Sequence, residues 1–91
     1  MQTFDLNLPW RLHPQVSVRP EPFGALLYHF GTRRLSFLKD TTLLAIVQQL
    51  RTEPSAGAAC ASAGVDLADL PRYQRALGAL ASSNMVIERT P

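Results

Sequence analysis

The spacing of apolar residues changes once along the chain, near Lys39. Before Lys39, apolar and polar residues alternate, which is typical of strands that bury one side. After Lys39, apolar residues recur three and four positions apart, which is typical of amphipathic helices. The pattern therefore predicts a strand-rich first part and a helical second part.

The first alternating segment runs from Phe4 to Leu12. Pro9 lies inside it and has no N–H for a sheet ladder, so this segment is expected to be an edge strand or an extended arm. Val16 and Val18 continue the alternation in a second strand, which the Pro20–Pro22 segment ends.

The segment from Gly24 to Leu38 has the pattern of a β-hairpin. Gly31 followed by Thr32 suits a two-residue type II′ turn. This turn pairs Phe30 with Arg33, Tyr28 with Leu35, and Leu26 with Phe37. We expect the large apolar residues among these to form the core face, which leaves Leu27 and Leu38 on the opposite face as candidates for a second packing surface.

The first helix is expected to begin after Asp40, a suitable N-cap residue, and to end near Thr52. Its buried stripe is predicted from helical spacing to contain Leu43, Ile46, Val47 and Leu50. A second, alanine-rich helix follows, with Ser55 as its cap and Gly64 just beyond its end.

The third helix is expected to open at Asp66 or Asp69, with Pro71 in its first turn. One face of it carries Tyr73, Ala76, Leu77, Leu80 and Ala81. Gly78 within this helix indicates a close backbone contact, because glycine is otherwise unfavourable there. A final extended piece is predicted from Met85 to Ile87.

These elements predict an α+β domain that resembles a winged helix: a three-stranded antiparallel sheet followed by three helices. We expect an N-terminal extended arm over residues 1–14 and the domain itself over residues 15–91.

Composition and short motifs reduce the number of function classes that the chain could belong to. The chain has 91 residues, a formal net charge of +2 and a single cysteine, Cys60. It contains no long apolar run or secretory signal pattern, so we expect a cytoplasmic protein without a membrane segment. It has no glycine-rich phosphate loop, no metal-ligand spacing and no nucleophile–base arrangement, which predicts a protein that is not an enzyme and holds neither metal nor cofactor.

The third predicted strand, Arg34 to Leu38, contains no proline or glycine that would protect its open edge. Such an edge is a template for an additional strand, and peptide recognition by strand addition uses it in this way. The predicted peptide-binding residues are Arg33, Arg34, Leu35, Ser36, Phe37, Leu38, Arg72, Tyr73, Ala76, Leu77 and Leu80. The arginines, together with Arg75, would favour an acidic ligand. The same helix residues also suit a core, and the same arginines suit a solvated surface.

The stretch WRLHPQVSVRPEPFGALLYHFGTRRLSFLK, from Trp10 to Lys39, resembles the signature of the mycofactocin-system peptide chaperone family. That family is part of the PqqD-like peptide-recognition domains of ribosomal peptide pathways. The helical part from Asp40 to Glu88 is consistent with the fold but carries no recognisable motif of its own.

The resemblance implies a non-catalytic role: binding the leader of a precursor peptide and presenting it to a radical S-adenosylmethionine (SAM) maturase, which modifies the Val-Tyr end of the precursor. It implies that the leader adds beside the third strand and against the third helix, and that acidic leaders suit Arg33 and Arg34. The alternating arm before Trp10 departs from the general pattern. It leaves open a homodimer formed through the arm or through the outer face of the sheet.

A winged-helix DNA-binding protein is the main alternative. Arg72, Gln74 and Arg75 could contact base edges from the third helix. The alanines and serines around them and the net charge of +2 argue against this function, because phosphate contacts supply most non-specific affinity for DNA. A structural dimerisation module is a further alternative, compatible with peptide binding.

Overall fold

The structure, a computed structural model, describes residues 4–89. In chain order its elements are β1 (Trp10–Leu12), β2 (Val16–Glu21), β3 (Gly24–His29), β4 (Arg34–Leu38), α1 (Thr41–Gln49), α2 (Ala56–Ser62), α3 (Leu70–Ser82) and β5 (Val86–Glu88). Strands β2, β3 and β4 form an antiparallel sheet in that order, and β1 pairs with β5 in a separate two-stranded sheet. The predicted α+β class and the three-stranded meander followed by three helices are confirmed.

The predicted hairpin register is also confirmed, since Leu26 pairs with Phe37 and Tyr28 pairs with Leu35. The predicted core face is wrong. The buried face carries Leu27 and Leu38, which are 0% and 2% exposed, together with Ala25 and His29. The large residues of the opposite face point away from the helices, and we call this the outer sheet face: Leu26, Tyr28, Phe30, Leu35 and Phe37.

The connection between β4 and α1 explains which face is buried. Only Lys39 and Asp40 separate the two elements, so α1 must lie over the face that Leu38 occupies at the end of β4. Ile46 and Val47 of α1 are 0% and 2% exposed within that core. Both sheet faces carry large apolar residues, so alternation alone could not distinguish them.

The turn of the hairpin is longer than the predicted type II′ turn, which is therefore wrong. Four residues from Phe30 to Arg33 connect the strands, and Arg33, with a φ of 61°, holds the left-handed position. The buried His29 explains this, because its Nδ1 accepts hydrogen bonds from the N–H groups of Gly31 and Thr32, at 3.0 and 3.1 Å. The hydrogen bonds to the buried imidazole thus set the turn conformation, and Gly31 does not take the positive φ that a type II′ turn requires.

The N-terminal alternation forms a strand only over β1. Before it, the Asp5 carboxylate accepts a hydrogen bond from the Asn7 N–H at 2.9 Å, and the Asp5 carbonyl accepts one from the Trp10 indole at 2.9 Å. This local bonding turns the chain at Asp5, so an extended strand cannot begin there. Strand β1 then pairs with β5 rather than with the meander.

The segment before β1 is packed against its own chain. Phe4 is 8% exposed, and its ring stacks on Trp10 with centroids 4.3 Å apart. The Gln74 amide donates a hydrogen bond to the Phe4 carbonyl at 2.6 Å. A Cβ at Gly78 would lie 3.4 Å from the Cβ of Phe4, so the close approach predicted at this glycine is to the Phe4 side chain. Residues 1–3 of the predicted arm lie outside the described residues.

The helix caps largely follow the prediction. Asp40 Oδ1 accepts hydrogen bonds from Thr42 N–H and Leu43 N–H, and Ser55 Oγ accepts one from Ala58 N–H. Helix α1 ends at Gln49, a little before the predicted end.

The start of α3 resolves the two candidate openings. Asp69, rather than Asp66, occupies the N-cap position, although its side chain makes no capping hydrogen bond, and Pro71 follows in the first turn. Within residues 4–89, no helix has the length and apolar character needed to cross a membrane.

Candidate functional site

Strand β4 is an edge of the three-stranded sheet: within the described part of the chain it pairs only with β3. The Phe30 N–H donates to the Gln15 carbonyl, so the main chain of Phe30 faces β2. Main-chain groups alternate along a strand, so those of Leu27 face β4, where Leu27 pairs with Ser36. The N–H and C=O groups of the alternate residues, Leu35 and Phe37, therefore point to the open edge.

A groove with a volume of about 290 Å³ lies between this edge and α3. It is lined by Ser36, Phe37, Leu38, Leu43, Ala76, Ala79, Leu80 and Ser83. The small side chains are on α3, where Ala76, Ala79 and Ser83 leave space beside the strand. The groove therefore has an apolar floor and a row of unpaired main-chain groups along one rim.

A hydrogen-bonded cluster ties the C-terminal end of β4 to α3. The Tyr73 hydroxyl donates to Asp40 Oδ2 at 2.6 Å, and Arg72 Nη2 donates to the Tyr73 hydroxyl at 3.0 Å while lying 3.9 Å from Asp40 Oδ2. Asp40 follows β4 directly and Tyr73 lies in the first turns of α3. The cluster therefore fixes the distance between strand and helix at this end of the groove.

The pKa values of this cluster follow from its contacts. Burial acts to raise the pKa of Asp40, but the hydrogen bonds from Tyr73, Thr42 and Leu43 outweigh it and lower that pKa below its ordinary value. The same bond raises the pKa of Tyr73, because it favours the protonated hydroxyl. At neutral pH the pair is a carboxylate and a neutral phenol, which is the combination that the hydrogen bond requires.

Positive charge lies at both ends of the groove. Arg33 and Arg34 are exposed at the start of β4, and Arg75 is exposed on α3. Among the described residues, none of these three arginines forms an ion pair, whereas Arg72 faces Asp40. Arg33, Arg34 and Arg75 are therefore free to meet an acidic ligand, and two of them lie next to each other at the start of β4.

The structure brings about half of the predicted site residues into the groove. Those that line it are Ser36, Phe37, Leu38, Ala76 and Leu80. Leu35 instead projects from the outer sheet face, and Leu77, which is 0% exposed, belongs to the core. Tyr73 lies in the cluster with Asp40 rather than in the groove wall.

Three residues that line the groove were not predicted: Leu43, Ala79 and Ser83. Ala79 and Ser83 share a helical face with Ala76, so a stripe of small residues was the available signal. Leu43 comes from α1, and its place in the groove depends on how α1 packs over β4.

Two of the three predicted DNA-contacting residues have other partners. Arg72 is bonded to Tyr73, and the Gln74 amide donates to the Phe4 carbonyl. Direct readout needs such side chains free to reach base edges, so only Arg75 of the three predicted contacts retains that freedom.

The groups in the described residues with the greatest chemical reactivity are the possible metal ligands, the Cys60 thiol and the two histidines. No three His, Cys, Asp or Glu side chains within residues 4–89 are grouped so that they could hold a metal ion. Burial raises the pKa of the Cys60 thiol, which keeps it protonated and a poor nucleophile. The Nδ1 atoms of His13 and His29 both accept hydrogen bonds from main-chain N–H groups. What the site offers is binding through main-chain groups and an apolar groove.

Comparison with known proteins agrees with this chemistry. Among solved structures, the fold is similar to a chain described as "Lasso peptide synthetase B1 complexed with the leader peptide", with a TM-score of 0.62 and 26% sequence identity. The similarity covers 87% of this chain and 98% of that chain.

Curated relatives are closer in sequence. The chain is 62% identical over 86 residues to the peptide chaperone MftB of Mycobacterium tuberculosis, covering 94% of this chain and 79% of the relative. It is 57% identical to the protein of the same name from Mycobacterium ulcerans, covering 92% of this chain and 77% of that protein. It is 54% identical to that of Mycolicibacterium smegmatis, covering 98% and 87%. The model of the peptide chaperone MftB family matches residues 9–87, and the chain belongs to that family.

Proposed function

We propose that this protein is a non-catalytic peptide chaperone in mycofactocin biosynthesis. It binds the leader of a ribosomally made precursor peptide by strand addition to β4 and presents the precursor to a radical SAM maturase. The open edge of β4 beside the groove against α3 is the observation that carries this proposal. The proposal places the protein in the cytoplasm, where the lone Cys60 thiol stays reduced.

Strand addition accounts for both properties of the site. Main-chain groups of the leader pair with those of Leu35 and Phe37, which gives affinity with little dependence on sequence. Alternate side chains of the added strand then point toward the groove, where the small side chains of Ala76 and Ala79 leave room for apolar groups. The groove thereby selects ligands that have apolar residues at every second position.

The descriptions of similar proteins support this assignment. A solved relative at 26% identity was described in complex with a leader peptide, and curated relatives at 54% to 62% identity are named peptide chaperones. The groove holds no reactive group, so the chemistry on the peptide belongs to the maturase.

The charges at the groove give the ligand a preferred sign. Arg33 and Arg34 form no ion pair within the described residues, and they lie at one end of the edge strand. Arginines at the rim of an interface mainly raise the association rate and select against like charge. We therefore propose that the leader is acidic at the end that lies beside Arg33 and Arg34.

A titration by fluorescence anisotropy tests the proposal. A labelled synthetic leader of a mycofactocin-type precursor is expected to bind saturably, whereas a peptide of the precursor's C-terminal segment alone is expected not to bind. A labelled DNA duplex serves as the third ligand. Saturable binding of the duplex without binding of the leader would contradict the proposal and support the DNA-binding alternative.

A further inference from the structure

The outer sheet face exposes three large apolar side chains side by side. Phe30, Leu35 and Phe37 are 59%, 57% and 58% exposed, and Tyr28 packs edge-on against Phe30 with ring centroids 5.1 Å apart. Fully burying side chains of this size removes roughly 150 to 250 Å² each from water, so the three leave on the order of 300 Å² of apolar surface exposed. On monomeric proteins, contiguous patches of this size are often interaction sites.

The opposite face of the same sheet is already covered. Helix α1 packs on it, and Ala25, Leu27 and Leu38 are almost fully buried there. The outer sheet face is therefore the sheet surface that stays free for a partner. It also includes β4, the strand on which the leader would be added.

A second copy of the chain is a poor match for this face. A stable protein–protein interface buries about 800 Å² on each partner. Somewhat more than half of such an interface is apolar, which is roughly 450 Å² on each partner. The apolar area on the order of 300 Å² that is exposed here falls short of this value, so two copies meeting through this face alone would associate weakly.

A peptide added beside β4 widens the face. Side chains of neighbouring strands that lie on the same face are next to each other, so alternate residues of the bound leader would extend the row that Leu35 and Phe37 begin. The enlarged surface exists only when the peptide is bound. A partner that reads it would distinguish the loaded chaperone from the empty one.

We propose that the outer sheet face, extended by the bound leader, is the surface on which the maturase docks through an apolar patch of its own. This inference rests on the proposed function and adds the location of the second partner. Binding energies are reciprocal, so leader and maturase each tighten the binding of the other to the chaperone. The face thereby favours delivery of the peptide over binding of an empty chaperone.

Substitutions on β3 and in the adjacent turn, away from the open edge, test the inference. Phe30→Ser and Tyr28→Thr remove apolar surface from the outer sheet face and leave the main chain of β4 unchanged. Leu67→Ser is the matched control, because Leu67 is 86% exposed and lies in the loop before α3. Leader affinity is measured by fluorescence anisotropy, and maturase affinity by biolayer interferometry with and without saturating synthetic leader.

The expected result is that both outer-face variants bind the leader within about twofold of the wild type but bind the maturase at least about tenfold more weakly. Leu67→Ser should match the wild type in both measurements. Maturase binding that is unchanged in both outer-face variants, or independent of the leader in the wild type, would overturn the inference.

Two further outcomes would point to self-association through this face or to a failure of the proposed function. A wild-type dimer in analytical ultracentrifugation that Phe30→Ser dissociates would assign the face to self-association and overturn the inference. A wild-type protein that does not bind the synthetic leader would instead contradict the proposed function.

Discussion

Replacing Leu35 with proline removes one main-chain donor from the open edge of β4. The N–H of Leu35 points away from β3, so this substitution leaves the ladder between β3 and β4 complete. The residue before it, Arg34, is already extended, which is the conformation that a following proline requires. The fold is therefore expected to tolerate Leu35→Pro.

The effect on leader binding follows from one lost hydrogen bond. A net main-chain hydrogen bond contributes about 0.5 to 1.5 kcal/mol, and leaving the leader's carbonyl group unpaired in the interface raises the cost to about 1 to 2 kcal/mol. Because about 1.4 kcal/mol corresponds to a tenfold change, the leader should bind about 5 to 30 times more weakly.

Two variants serve as controls in the anisotropy assay. Leu35→Ala removes the same exposed side chain but keeps the N–H, so the comparison isolates the main-chain donor. Ser36→Pro removes an N–H that faces β3, and it should lower the thermal midpoint by circular dichroism, which Leu35→Pro should not. Equal leader affinities for Leu35→Pro and Leu35→Ala would refute strand addition at this edge.

Other expectations follow from the cap, the N-terminal segment and the charges. Asp40→Ala removes the acceptor for two N–H groups of α1 and for the Tyr73 hydroxyl, so urea denaturation should show a loss of about 1 to 2 kcal/mol. The pKa of Asp40 is lower in the folded state than its ordinary value of 3.8, so the carboxylate stabilises the fold fully above pH 3.8. This contribution is lost as the pH falls through the pKa of the folded state. The unfolding free energies of wild type and Asp40→Asn should therefore converge in acid. Phe4→Ala removes a buried ring that stacks on Trp10 and should destabilise the fold by about 3 to 5 kcal/mol in the same assay. An unchanged denaturation midpoint would show that the N-terminal segment is not anchored. Reversing Arg33 and Arg34 together to glutamate should slow association with an acidic leader about tenfold and flatten its salt dependence in stopped-flow measurements, with the dissociation rate little changed.

The hairpin shows which structural features were accessible from sequence. Its register depends on alternation and on the position of the turn, and the pairing of Tyr28 with Leu35 was predicted correctly. The choice of the buried face depends on where α1 packs, which is a tertiary property set by the short connection after Leu38. The turn conformation depends on the hydrogen bonds that the buried His29 accepts, and no local turn rule includes a histidine in that role.

The candidate site also has one part that was predictable from the sequence and one part that was not. The open edge of β4 was predictable, because a strand without proline or glycine at the end of a meander has one unpaired side. Predicting which residues line the groove requires knowing how α3 lies against β4, and the sequence does not give this. Leu77 was therefore expected in the site, but it lies in the core. Arg72 shows a similar effect, since its contact with Tyr73 and Asp40 joins residues far apart in sequence.

Amide hydrogen exchange followed by NMR tests the central claim most directly. In the free protein the N–H groups of Leu35 and Phe37 point to the open edge and should exchange rapidly, whereas the Ser36 N–H, which faces β3, should be protected. Saturating leader peptide is expected to protect Leu35 and Phe37 strongly and to change Ser36 little. Unchanged exchange at Leu35 and Phe37 with the leader fully bound would contradict strand addition to β4.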